Sequence, residues 1–169
     1  MTTPFFQPVS GIDLPRFAGV PTFMRLPHLT PNDPAYADVQ MGLVGIPWDS
    51  GTTNRPGARH GPRMLRDLST MIRAGNPVTG INPFTTVNCA DLGDISPNPV
   101  DIMDCMERIT TFYTDLKNRG ITPMTAGGDH LSTLPVLRAL ASDSPVGLIQ
   151  FDSHTDLFDS YFGGNKFTH

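Results

Sequence analysis

The sequence predicts an α/β domain in which a mainly parallel sheet carries helices on both faces. Three observations point there. Short apolar runs alternate along the chain with segments whose apolar residues recur at helical spacing, the pattern of successive βαβ units. Glycine- and proline-rich polar stretches follow the runs, at the carboxyl ends of strands, where open α/β sheets bind ligands. Two groups of potential metal ligands, at residues 127–130 and 152–156, each close such a run. Right-handed crossovers bring those two strand ends to one edge of the sheet.

Taken in order, residues 1–38 are rich in proline, with Pro4, Pro8, Pro15, Pro21, Pro27, Pro31 and Pro34. That density excludes a long helix or a central strand. The phenylalanines Phe5, Phe6, Phe17 and Phe23 with Met24 favour an arm docked on the domain or on a neighbouring subunit. The domain proper is expected over residues 39–169. Residues 39–46 form a first buried strand, closed by Pro47. A loop follows over residues 47–62, containing Trp48, Asn54, Arg55, Arg59 and His60. Its cations either solvate the loop or face a ligand. Gly61-Pro62 opens a helix carrying Met64, Leu65, Leu68, Met71 and Ile72, since proline is tolerated in a first turn.

Residues 87–91 are a second strand, with Asp91 and Asp94 as supporting groups of a site or as plain loop acids. The stripe Val100, Met103, Met106, Ile109, Tyr113 and Leu116 predicts a long core-facing helix stopped at Gly120. Residues 121–126 are a third strand, running into Gly127-Gly128-Asp129-His130, and Ser132 is a reasonable N-cap for the helix after it. Residues 146–152 read as a fourth strand.

At the end of that fourth run stand Asp152, His154 and Asp156. Side chains at i, i+2 and i+4 of a strand share a face, so two carboxylates and an imidazole aim at one point. Such a cluster calls for a cation to balance its charge. A single D-x-H would be an ordinary solvated loop; the strict alternation and the second motif at His130 argue for a metal site. Two imidazoles and two carboxylates without thiolate suit Mn, Fe, Ni, Zn or Co. Asp152 could bridge two metals, with His130 and Asp156 on one and His154 on the other. Paired metals activate a shared water and polarise the bond being cleaved. Four ligands are too few for two well-held ions, so a complete site needs further carboxylates.

The 169 residues suffice for one ordinary domain, and the net charge of −4 with scattered Lys and Arg argues against nucleic-acid partners. The two cysteines, Cys89 and Cys105, form no C-x-x-C and read as free thiols in a reducing compartment. No membrane partner is expected, because no apolar run reaches spanning length, and no signal-peptide core is visible. The expected location is cytoplasmic.

Gly127-Gly128-Asp129-His130 with Asp152-Ser153-His154-Thr155-Asp156 resembles the ureohydrolase (arginase/agmatinase) family. The loop Asn54-Arg55-Pro56-Gly57-Ala58-Arg59-His60-Gly61-Pro62-Arg63 is similar to that family's N-R-x-G-A-R-x-G-P segment. The arm over residues 15–27 is similar to the agmatinase-like branch, which includes guanidinobutyrase and guanidinopropionase. The resemblance implies a three-layer α/β/α, arginase-like fold, of which this chain is the N-terminal half, usually assembled into trimers or hexamers. It implies two Mn2+ ions per complete subunit, with Ni2+ as an alternative. His130, Asp152 and Asp156 would serve one and Asp152 with His154 the other. Residues 165–169 resemble a segment whose histidine, here His169, moves protons or binds substrate.

The implied reaction is hydrolysis of a small guanidino substrate to urea and an amine, with Asp156 or His169 protonating the leaving nitrogen. Loop residues Trp48, Asn54 and Arg55 would help to choose that substrate, Arg55 being suited to a carboxylate. The family's downstream D-x-D has no counterpart here, so these residues alone are expected to be inactive. Leu131 and Ser153 stand where the family usually has Ser or Thr and Ala; neither is a ligand. A non-catalytic partner subunit, and a deacetylase-like amidohydrolase on a related fold, are the alternatives.

Overall fold

A computed structural model describes residues 5–168; residues 1–4 and His169 lie outside the described residues. Its centre is strand β1 (Met41–Gly45), paired in parallel with β2 (Cys89–Asp94) on one side and β3 (Thr122–Ala126) on the other. The register sets Met41 opposite both Cys89 and Thr122. Three helices accompany the strands among the described residues: α1 (Gly61–Ser69), α2 (Ile102–Asn118) and α3 (Thr133–Leu140).

Alternation along β1 divides the core in two, because successive side chains leave a strand on opposite faces. Val44 and, just past the strand, Ile46 and Trp48 join α2 and α3 in the larger cluster. Leu43 faces the other way, against Phe23, Leu26, Phe84 and Cys89. Helix α2 begins where Asp101 caps the N–H groups of Met103 and Asp104, satisfying donors that the first turn leaves unpaired. It buries Cys105, Met106, Ile109, Tyr113 and Leu116, each large apolar side chain contributing about 1.5–3 kcal/mol on transfer from water. The predicted stripe holds from Met106 onward. Val100 lies before the helix, and both Val100 and Met103 are exposed, because the cap turn carries them clear of the sheet.

The arm lies along the outer edge of β2. Leu29 N–H donates to Asp91 O at 3.0 Å and Asp91 N–H to Pro27 O at 2.9 Å. Phe23 N–H donates to the Asp91 carboxylate at 2.9 Å, and Arg66 of α1 holds the same carboxylate through Nε at 2.8 Å and Nη2 at 2.9 Å. Arg66 also reaches Asp94 at 2.6 Å, and its guanidinium lies 4.2 Å from the centre of the Phe23 ring. Asp91 and Asp94 therefore tie arm, helix and sheet together. Phe23 is buried by this clamp, whereas Phe17 stays exposed.

Two expectations are corrected. Residues 146–152 form no strand; Ile149 is 83% exposed and Phe151 98%. An apolar run becomes a strand only when a ladder pairs it and a layer covers it, and no described residue does either. The helix after Gly61-Pro62 ends at Ser69, before Met71 and Ile72, and Met64, Leu65 and Leu68 face outward. What it packs inward is Pro62, against the end of β1. No helix among the described residues is long and apolar enough to cross a membrane.

Candidate metal centre

The tip of β3 is stitched to the loop after β1, and this fixes His130. Gly128 has φ +43° and lies against the carbonyl oxygens of Trp48 and Ile46, leaving no room for a Cβ. Asp129 N–H donates to Trp48 O at 2.9 Å, and the Asp129 carboxylate accepts from Gly51 N–H at 2.8 Å. Ser132 Oγ donates to Asp129 O at 2.7 Å. Ser132 stands in the N-cap position of α3, as its sequence position suggested, but its hydroxyl closes the turn and makes no capping bond. His130 begins the single 3-10 turn formed by His130–Ser132, directly ahead of α3.

The loop over residues 49–60 is organised from within by Asp49, which is buried. Its carboxylate accepts from Gly57 N–H at 2.7 Å and Arg59 N–H at 3.2 Å and pairs with the Arg59 guanidinium. Burial alone would raise this carboxyl, but those hydrogen bonds and the guanidinium charge outweigh it and hold it below the usual carboxylate range. Asp49 did not stand out in the sequence, and Asp129 did so only as part of the motif that ends in His130, with no role of its own. Each organises the backbone of a loop at the site. Trp48 points into the core. Asn54 and Arg55 are exposed, Arg55 with φ +54°.

Three of the expected ligands converge. His130 Nδ1 lies 2.9 Å from Asp156 Oδ2 and 3.4 Å from Asp152 Oδ2, and one ligand atom from each lies within 4.8 Å of the others. They do not meet by strand alternation. Asp156 adopts φ +54°, a left-handed bend uncommon for a residue other than Gly, Asn or Asp, and the bend returns its carboxylate to His130. His154 turns outward. Its N–H donates to Asp152 Oδ1 at 2.9 Å, and its ring Nδ1 stays 3.6 Å from the same oxygen. The His154 N–H lowers the Asp152 carboxyl; burial opposes it, and the charges of His130 and His154 add to the lowering. His169 lies outside the described residues.

One imidazole nitrogen and two carboxylate oxygens within such a span fit a borderline divalent cation, and His154, sharing Asp152, offers a donor towards a second. Beside them opens a cavity of about 220 Å³, lined among others by Thr53, His154, Asp156, Tyr161, Asn165 and Lys166. Its walls are both polar and aromatic.

Comparison with known proteins shows the family of the chain. The arginase family profile matches residues 39–169. The guanidinopropionase of Pseudomonas aeruginosa is 51% identical over 163 residues, covering 96% of this chain and 50% of that protein. The guanidinobutyrase of the same organism is 43% identical over 159 residues, covering 93% of this chain and 49% of that one. Among solved structures, proclavaminate amidinohydrolase from Streptomyces clavuligerus superposes with a TM-score of 0.81 at 34% identity, over 92% of this chain and 50% of that chain. The chain thus spans about half the length of the relatives it matches.

Proposed function

The chain belongs to the arginase family, and from that premise we propose that the protein hydrolyses a small guanidino compound to urea and an amine, using two divalent cations, Mn2+ before Ni2+. The observation that carries the reading is the convergence of His130, Asp152 and Asp156 beside an open cavity. The names of the similar proteins support the substrate class. His130, Asp152 and Asp156 hold one cation; Asp152 and His154 hold part of the other, and ligands from outside these residues complete both.

When bound, the cations would supply an activated water and polarise the guanidinium carbon. The chain's own residues do the rest. Asp156 accepts at its carboxylate the proton that the attacking water gives up and passes it to the leaving nitrogen as the carbon–nitrogen bond breaks, or His169 supplies that proton in its place. The negative carboxylates draw a cationic guanidinium to the cavity. Asp49 and Asp129 keep the loop at residues 49–60 and His130 in a fixed relation, so the site needs little reordering on binding. A homo-oligomeric, cytoplasmic enzyme, trimer or hexamer, is the accompanying expectation; its mass in solution tests the assembly.

The test is urea release by the full-length protein, loaded with Mn2+ or Ni2+, against agmatine, guanidinobutyrate, guanidinopropionate and guanidine, with acetyl-lysine as a control. Urea from one compound, lost in the metal-free protein and in His130→Ala, supports the reading. Metal binding with no urea from any compound overturns it in favour of a non-catalytic subunit. Deacylation of acetyl-lysine in its place would move the protein to the deacetylase-like class.

A further inference from the structure

We propose that Lys166 binds the carboxylate of the substrate, and so makes the protein a hydrolase of guanidino acids in preference to guanidino amines. The inference rests on the guanidino reading above. It begins from the charge of the cavity wall. The lining residues at the metal cluster are His154 and Asp156, and among the described residues the one Lys or Arg on the wall is Lys166. A substrate whose guanidinium sits at the carboxylates and whose other end is anionic needs a cation at its far end. A cation there gives that carboxylate a charged partner that water alone does not. Lys166 is the group on the wall that meets that need.

The backbone holds Lys166 in place. Tyr161 and Asn165 exchange both backbone hydrogen bonds, each at 2.8 Å, in an isolated antiparallel bridge. The turn they close passes through Gly163 and Gly164, and Lys166 leaves its base on the cavity side. The rings of Phe158 and Tyr161 meet edge to face at 5.5 Å and give the same wall an apolar surface for a methylene chain. Lys166 at present lies 3.6 Å from Asp159. That pair is exposed, and exposed pairs contribute little, so a substrate carboxylate can displace Asp159.

The other basic groups nearby are committed or misplaced. Arg59 is paired with Asp49. Arg55, the sequence-based candidate for a carboxylate, is exposed and does not line the cavity. A lysine at this place also disfavours agmatine, whose far end is an ammonium, by like-charge repulsion.

The experiment compares Lys166→Met and Lys166→Arg in the full-length, metal-loaded protein, on guanidinopropionate, guanidinobutyrate, agmatine and the uncharged propylguanidine. The expected result for Lys166→Met is a fall in kcat/KM of roughly 10–100-fold on the acids, carried mainly by KM. Propylguanidine should change by no more than about threefold, and agmatine should gain relative to the acids. Lys166→Arg should retain most of the acid activity, because the positive charge is kept. Equal losses on the acids and on propylguanidine would show a structural role and overturn the assignment, as would unchanged kinetics on the acids. A wild-type preference for agmatine would overturn it too, while leaving guanidino hydrolysis intact. Urea from no compound would remove both readings.

Discussion

Replacing Asp91 with asparagine tests the clamp that binds arm, helix and sheet. Asp91 is 1% exposed, and its carboxylate accepts four hydrogen bonds at 2.8–2.9 Å, two from Arg66 and one each from Phe23 N–H and Gly93 N–H. Asparagine keeps the shape but has one acceptor oxygen, and its amide N–H2 must face donors. Removing one member of a buried ion pair costs about 3–5 kcal/mol. Arg66 retains Asp94 at the solvent side, which places the expected loss at the lower end, about 3 kcal/mol. At roughly 2–4 °C per kcal/mol for a unit of this size, the melting temperature should fall by about 6–12 °C.

Thermal melts followed by circular dichroism at neutral pH, at equal metal saturation, give the number. A double variant, Asp91→Leu with Arg66→Met, should recover much of the loss, because both charges leave together. A fall of less than about 2 °C in Asp91→Asn, or a double variant costing the sum of the singles, would refute the clamp argument. The pH dependence has a definite sign. Burial would raise the Asp91 carboxyl, but the bonds from Arg66, Phe23 and Gly93 and the charge of Arg66 outweigh it and lower it. Its stabilising contribution is therefore complete above the unfolded value of about 3.9 and is lost as pH falls through the lower, folded value.

Gly128→Ala would set a methyl group on the Trp48 and Ile46 carbonyl oxygens at a positive φ; we expect a loss of about 3 kcal/mol or more and weaker metal binding, read by melts and by metal titration, with an unchanged melt refuting the stitch. The thiols of Cys89 and Cys105 are buried, and burial pushes both up, so in the native protein they should react with an aromatic disulfide at least about tenfold more slowly than after unfolding; rapid native titration would contradict their placement. Tyr113 is pushed up to about 12 by burial, the Thr125 hydroxyl only partly offsetting it. Its tyrosinate band, isolated by difference against Tyr113→Phe, should be absent below about pH 11. The corresponding stability is complete below the unfolded value of about 10 and lost as pH rises through the folded value.

Much of the frame was legible because local pattern and tertiary demand agree. The runs at residues 39–46 and 121–126 contain β1 and β3, the run at residues 87–91 covers only the first half of β2, which continues to Asp94, and the Met106-to-Leu116 stripe is the buried face of α2. Where they part, an identifiable partner decides. The run at residues 146–152 has strand composition, but strand formation depends on neighbours that no local signal contains. The apolar residues of α1 keep helical spacing without a core to face. At the candidate centre, residue identity was enough to select His130, Asp152 and Asp156. The way they meet was not legible, because it depends on the left-handed bend at Asp156 and on the Asp129 anchor. Lys166 was passed over because a lone lysine in a polar stretch has no pattern; only its place on the cavity wall distinguishes it.

The turn over residues 157–168 rests on its own backbone bridge and stands largely outside the two core clusters, which draw on it through Phe167 alone. If the cavity wall selects the substrate as proposed, stability and recognition are carried by different residues. Mutations at β1 or α2 are taxed by packing before they can be tested for chemistry, whereas those at 158–166 alter the cavity wall at little thermodynamic risk. On the proposed reading, a lineage or a laboratory selection could exchange one substrate for another by drifting through this short turn while the sheet stays fixed. A library confined to it should yield folded variants at a far higher rate than one of equal size in β1.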